Sequence, residues 1–183
     1  MKKIGIFLAD GFEEIEGLTV VDILRRAGLE AITISITGQK EIHGSHQIDI
    51  LADILFAEVD FTSLEGVVLP GGMPGTTNLG AHAGVDEAIR TFAGQGKLVA
   101  AICAAPSVLG QAGLLQGKKA ACYPGFEDKL TGAQVVYDEV AEAGNIITSR
   151  GMGTAIPFAI SLVSYLISEQ KAQELAKGII YRQ

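Results

Sequence analysis

The sequence predicts an α/β fold, in which a mostly parallel sheet is covered by helices on both sides. Three observations carry this. Short apolar runs of strand length alternate with helical segments along the chain. Several of those runs are apolar on both faces, as strands buried inside a parallel sheet are. No internal repeat, linker or low-complexity stretch interrupts the alternation, so residues 1–183 read as a single domain.

The elements follow in order. Lys3 to Ala9 is an apolar run of strand length. Glu13 to Ala27 carries Ile15, Leu18, Val20, Val21, Ile23 and Leu24 at helical spacing, and Gly28 ends it. Ala31 to Ile36 is β-branched and reads as a second strand. Residues 38–53 are polar and turn-rich, with a short strand or hairpin around Ile48 to Leu51. Gly66 to Leu69 is a buried strand that stops at Pro70-Gly71-Gly72, and Val85 to Phe92 is helical. Leu98 to Ile102 is a strand followed at once by a helix over Pro106 to Leu115. Ala120 to Tyr123, Gln134 to Tyr137 and Asn145 to Ser149 are further strands. One last helix is expected from about Thr154 to Ala176, with Pro157 in its first turn, where a missing N–H costs nothing.

Composition narrows the function classes. A chain of 183 residues buries roughly 70% of its unfolded surface, so its core needs neither disulfide nor metal. Its 23 glycines are nearly double the usual share of about 7%, which implies many tight turns. The net charge of −7 argues against nucleic acid as a partner, since phosphates would be repelled. No run reaches the roughly 18 apolar residues that a membrane span needs. Met1-Lys2-Lys3 and Ile4 to Ala9 imitate the start of a signal peptide. The apolar stretch is short, however, and Asp10-Gly11-Phe12-Glu13-Glu14 follows without a cleavage site, so a cytoplasmic protein is expected. There, Cys103 and Cys122 are core residues or nucleophiles rather than a disulfide.

In parallel sheets, sites lie beyond the carboxyl ends of the strands, and three such ends stand out. Cys103 sits where the Leu98–Ile102 strand stops and the Pro106 helix begins, so its side chain is expected at the top of the sheet, as in a nucleophile elbow. Free N–H groups at that helix start would favour a thiolate and lower its pKa. An inert, buried cysteine is the alternative the segment leaves open. Gly71 and Gly72 end another strand, where backbone N–H groups suit an oxyanion and equally a plain turn. Glu13, Glu14 and Glu16 open the first helix, where carboxylates are ordinarily solvated. Glu16 stands apart: its neighbours Ile15 and Leu18 suggest partial burial, which would raise its pKa and keep it protonated beside a thiolate.

Taken together, these strand ends resemble the ThiJ/PfpI superfamily, and its DJ-one branch most closely. The resemblance rests on Gly11-Phe12-Glu13-Glu14-Ile15-Glu16, Arg25-Arg26-Ala27-Gly28, Val67-Val68-Leu69-Pro70-Gly71-Gly72, Ala100-Ala101-Ile102-Cys103-Ala104-Ala105-Pro106 and Thr148-Ser149-Arg150-Gly151-Met152-Gly153-Thr154. These segments run in order over nearly the whole chain. The resemblance implies a flavodoxin-like three-layer sandwich of the class I glutamine amidotransferase kind, usually homodimeric. It implies Cys103 as an oxidation-sensitive nucleophile on strained backbone, and Glu16 as the protonated carboxyl beside it. The N–H groups of Gly72 and Ala104 would form the anion site, with no cofactor and no metal. Activities attributed to the family include cofactor-independent glyoxalase (glyoxalase III), deglycation, chaperone behaviour and peroxide sensing.

Two departures from the family pattern matter. Protease-like members carry a His directly after the cysteine, where Ala104 stands, so a Cys-His dyad built from neighbours is not expected. DJ-one relatives often have a His where this chain has Tyr123, an accessory candidate; a phenol with pKa of about 10 is a poor base at neutral pH but a good hydrogen-bond donor. His46 falls where relatives place an Arg and reads as a solvated loop residue. Neither it, His43 nor His82 stands at a metal-ligand spacing, and Cys122 reads as structural. The expected function is a cysteine-dependent enzyme acting on small 2-oxoaldehydes in carbonyl or oxidative stress. The rival is a redox sensor or chaperone in which Cys103 is oxidised without turnover, and a non-catalytic relative is a third option.

Overall fold

The computed structural model describes residues 1–182. In chain order the strands are β1 (Lys3–Leu8), β2 (Glu30–Ser35), β3 (Glu41–His43), β4 (Asp49–Leu51), β5 (Ile54–Leu55) and β6 (Leu64–Leu69). They continue with β7 (Leu98–Ile102), β8 (Lys119–Ala120), β9 (Gln134–Val135), β10 (Val140–Ala143) and β11 (Ile146–Ser149). The α-helices are α1 (Glu14–Arg26), α2 (Gly75–Ala81), α3 (Ala83–Gly94), α4 (Pro106–Gln111), α5 (Ala155–Leu166) and α6 (Glu169–Gly178).

Seven strands form one sheet in the order β10-β11-β7-β6-β1-β2-β5. All its pairings are parallel except β10 with β11. Because strand side chains alternate, each central strand feeds two cores. Ile4, Ile6, Leu8, Ala100 and Ile102 pack with Val20, Leu24, Phe158 and Leu162 of α1 and α5. Phe7, Val67, Leu69, Val99 and Ala101 pack with Leu79, Ile89, Phe92 and Leu109 of α2, α3 and α4. The result is the mostly parallel, three-layer α/β sandwich that the alternating pattern predicts.

Several boundaries differ from the expected ones. The single last helix is two: α5 ends at Leu166, and Ser168 starts α6, its hydroxyl accepting the Lys171 N–H at 3.2 Å as an N-cap does. The helix after Cys103 stops at Gln111, with Gly113 just beyond it at φ +71°. The strands expected at Ala120–Tyr123 and Gln134–Tyr137 shrink to β8 and β9, a pair outside the main sheet. Helix α2 and the antiparallel edge strand β10 were not expected. The short α2, Gly-Thr-Thr-Asn-Leu-Gly-Ala, has too little apolar periodicity to announce itself.

The strand order creates a switch point. The connection after β1 runs to α1 on one face and the connection after β6 runs to α2 on the other, while β1 and β6 are neighbours. Loops leaving adjacent strands for opposite faces open a crevice at the carboxyl end of the sheet. Cys103 follows β7, the next strand over. No α-helix among the described residues is long and apolar enough to cross a membrane.

Candidate active site

Cys103, Glu16, Gly72 and Ala104 converge at this crevice. Cys103 holds a left-handed backbone at φ +66°, a conformation that costs a non-glycine residue of order 1–3 kcal/mol and persists only where surroundings enforce it. Three backbone hydrogen bonds do so. The Cys103 N–H donates to the Ser149 carbonyl at 3.0 Å, the Tyr123 N–H donates to the Cys103 carbonyl at 2.8 Å, and the Ala105 N–H reaches Ile102 at 3.1 Å. The bend turns the thiol away from β7 toward Glu16, where the N–H groups of Gly72 and Ala104 favour its charged form.

Glu16 arrives from the first turn of α1 and is 1% exposed. Its Oε2 accepts the Gly71 N–H at 2.9 Å, while Oε1 is buried without a donor. Upstream, the Glu13 side chain caps the helix by accepting the Glu16 N–H at 2.7 Å, and the Glu13 N–H donates to the Gly71 carbonyl at 2.9 Å. The tips of α1 and β6 are thereby tied from both directions. Only glycine fits at the tie, because a Cβ on Gly71 would stand 2.6 Å from the Cys103 Cβ and 2.7 Å from Glu16 Oε2.

Burial dominates the electrostatics. It pushes Glu16 up to about 7, against the hydrogen bonds from Cys103 and the Gly71 N–H and with help from the charge of Glu13. Burial and then the charge of Glu16 push the Cys103 thiol up to about 12, while the N–H groups of Ala104 and Gly72 pull it down. Each group resists ionising beside the other, so the pair carries one negative charge between these limits, and its titration belongs to the pair. This corrects the expectation of a thiol acidified by the start of the following helix. Helix α4 has six residues, and the donors at the sulfur come instead from the turn at Ala104 and from the end of β6.

The other carboxylates also depart from the sequence reading. Glu13 and Glu14 are 8% and 3% exposed rather than solvated. Ile15 and Leu18, taken as signs that Glu16 is buried, are themselves 50% and 38% exposed. Glu16 is buried because it points into the sheet end, on the opposite side of the helix. Burial pushes Glu14 up, but hydrogen bonds from the His46 ring and backbone outweigh it and hold the carboxyl below its ordinary value.

Tyr123 meets the site through its backbone, while its half-exposed ring lies beside Gly151. Cys122 is buried, and its thiol is pushed up to about 11 by burial and by Glu127, against Arg150. Among the described residues no imidazole bonds to Cys103 or Glu16. His82 caps α3 by accepting the Val85 N–H, His43 pairs with Asp49, and His46 pairs with Glu14. Gly71, singled out in the sequence with Gly72, gives its N–H to Glu16; the capping role of Glu13 and the Ser149 carbonyl are the contributions that sequence reasoning missed.

Comparison with known proteins agrees with the fold. Residues 2–165 match the model of the DJ-1/PfpI family. The chain is 38% identical to protein dj-1beta of Drosophila melanogaster, over 96% of its own length and 95% of that protein. It is 30% identical to the glutathione-independent glyoxalase DJR-1.2 of Caenorhabditis elegans, over 91% and 89%. The structure of oxidized Toxoplasma gondii DJ-1 superposes with a TM-score of 0.96 at 35% identity, covering all of both chains.

Proposed function

Because the chain belongs to the DJ-1/PfpI family, we propose that it is a cysteine-dependent, cofactor-independent enzyme acting on small 2-oxoaldehydes, of the glyoxalase III or deglycase kind. The observation that carries this is the contact of Cys103 and Glu16 under two backbone N–H groups. The N–H groups of Gly72 and Ala104 favour charge on sulfur, whereas Glu16 has one backbone N–H, that of Gly71 on Oε2, and its Oε1 is free to take a proton. The shared proton therefore belongs on Oε1, leaving a thiolate next to a neutral carboxylic acid.

The reaction follows from these positions. The thiolate attacks the aldehyde carbon and forms a C–S bond, and the carbonyl electron pair moves to oxygen. The N–H groups of Gly72 and Ala104, released from sulfur, hold that oxyanion. Glu16 gives the oxygen its proton and becomes the base that removes the C1 hydrogen. Returning that proton to C2, while the proton on the C1 oxygen passes to the C2 oxygen, converts the hemithioacetal into a thioester of a 2-hydroxy acid. Water then cleaves the thioester and regenerates the thiol pair, so the net change is addition of one water to the oxoaldehyde. An acid poised at about 7 serves both proton transfers at neutral pH. The similarity to a protein named a glutathione-independent glyoxalase supports the substrate class.

Purified protein given methylglyoxal without glutathione should form lactate, and Cys103→Ala should abolish it. Equal slow rates from both proteins would end this reading.

One observation favours a second reading, peroxide sensing linked to chaperone behaviour. Glu16 Oε1 can donate to an oxygen placed on sulfur, and the two N–H groups suit another. Two equivalents of peroxide would carry the thiol to a sulfinate and release two waters. Mass spectrometry after mild peroxide tests it: Cys103 should gain two oxygens ahead of Cys122, and oxidation of Cys122 first would contradict it.

We place the enzyme in the cytoplasm as a homodimer. Ile15, Leu18, Ile48 and Ile156 are 38–53% exposed and, with Ile179, line a groove of about 620 Å³ on α1 and its neighbours. A second copy burying the same strip is the occupant that a self-complementary apolar face fits.

A further inference from the structure

We propose that Thr148, buried at the end of β11, is a positioning residue that sets the direction of the Ala104 N–H through the segment Ala121–Tyr123. Strand β11, Ile-Ile-Thr-Ser, is buried along its whole length, and a strand buried on both faces is normally apolar throughout. Thr148 is 0% exposed, at a position where Val would have the same shape and no polar atom to bury. A buried hydroxyl costs free energy unless it is bonded, so its partner shows what it is for.

That partner is a backbone group. Thr148 Oγ1 accepts the Ala121 N–H at 2.9 Å, joining residues 27 positions apart. Ala121 lies just past β8, where the pairing with β9 has ended. Two residues on, the Tyr123 N–H donates to the Cys103 carbonyl at 2.8 Å. Ala121–Tyr123 is thus a strut from Thr148 to Cys103. Strand β11 also holds Cys103 from its other side, since the Cys103 N–H donates to the Ser149 carbonyl at 3.0 Å.

A trans peptide unit is planar, with its C=O and N–H pointing in opposite directions. The Cys103 carbonyl and the Ala104 N–H belong to one such unit. Whatever fixes the carbonyl therefore fixes the N–H, and this N–H favours charge on the sulfur. A hydrogen bond accepted by the carbonyl also polarises the unit and strengthens its donor. The second donor is held in the same way. The Gly72 N–H shares its peptide unit with the Gly71 carbonyl, which accepts the Glu13 N–H at 2.9 Å. For Ala104 the chain of bonds ends on a side chain, which a substitution can remove. The left-handed backbone of Cys103, at φ +66°, depends on such restraint, because a relaxed turn would swing the peptide plane.

The test compares Thr148→Val, which keeps the shape and removes the acceptor, with Thr148→Ser, which keeps the acceptor. Both are made in the full chain carrying Cys122→Ala, with folding checked by circular dichroism. In ultraviolet titration the Cys103 thiolate should form at least about half a pH unit higher in Thr148→Val, and Thr148→Ser should restore the parent value. Methylglyoxal turnover should fall at least about tenfold in kcat with little change in KM, a part of the roughly 10²–10³ that loss of a whole oxyanion donor costs. The turnover arm rests on the oxoaldehyde reading, and the titration does not. A shifted titration in a protein without turnover would overturn that reading and leave the positioning role standing. A thiolate step that Thr148→Val leaves unchanged, or a Thr148→Ser that matches Thr148→Val, would overturn the proposal. If Thr148→Val does not fold, amide hydrogen exchange in the wild type decides. The Ala121 and Tyr123 N–H groups should be as protected as those of β7, and rapid exchange at either would overturn the strut.

Discussion

Glu16 Oε2 accepts the Gly71 N–H at 2.9 Å, joining residues 55 positions apart in the chain. The bond holds the carboxyl at the mouth of the β1/β6 crevice, and the bare Cα of Gly71 leaves room for the Cys103 side chain beside it. Gly71→Ala should therefore lower stability by about 1–3 kcal/mol, the usual result of overpacking a dense site, and should cut turnover more than a hundredfold. Urea unfolding and the methylglyoxal assay measure the two effects. Normal turnover in the folded variant would mean that the close packing around Gly71 is unimportant.

The buried carboxyl makes stability depend on pH. The Cys103–Glu16 pair loses its first proton at about 7 in the folded state, above the ordinary carboxyl value of 4.5, so the folded state holds this proton more tightly than the unfolded state does. Its contribution is fully present below 4.5 and is lost as pH rises toward 7. A shift of this size corresponds to roughly 3 kcal/mol. Glu16→Gln, which cannot ionise, should be more stable than wild type at pH 8 by an amount of that order and little different at pH 4.5, as read by urea unfolding at the two pH values.

The left-handed backbone at Cys103 predicts an inversion of the usual order of substitutions. At φ +66° a Cβ is strained, so Cys103→Gly should be more stable than Cys103→Ala by about 1 kcal/mol, whereas glycine in regular structure is the less stable choice. Thermal unfolding of both variants compares them directly.

If a second copy covers the apolar groove on α1, charge placed there should separate the copies. Ile48 is 53% exposed and lines the groove. Ile48→Glu should sediment as a monomer with an unchanged circular dichroism spectrum, while wild type sediments as a dimer.

The alternation of apolar strands with helices made the sandwich legible, because periodicity reports burial directly. Cys103 was legible as well, since a cysteine between an apolar strand and a proline-started helix has few places to go. Its pKa was not: burial and the neighbouring Glu16 charge depend on contacts across the sheet end that no local pattern encodes. Glu16 was identified as buried from the wrong neighbours, because Ile15 and Leu18 face a groove at the surface. The partnership of Glu14 with His46 was invisible for the same reason as the β10 edge, since both depend on pairing between segments with weak signals of their own.

The account turns on one proton shared by Cys103 and Glu16, residing on the carboxyl. The direct measurement is the ultraviolet thiolate titration of Cys103 in a Cys122→Ala background, with and without Glu16→Gln. Wild type should form its thiolate in the lower of the pair's two steps, below the about 8.5 of a free thiol. Glu16→Gln should move that step upward, because an amide is a weaker donor to sulfur than a carboxylic acid. A thiol that titrates well above 8.5 in wild type and drops when Glu16 is neutralised would place the charge on the carboxylate and contradict the mechanism.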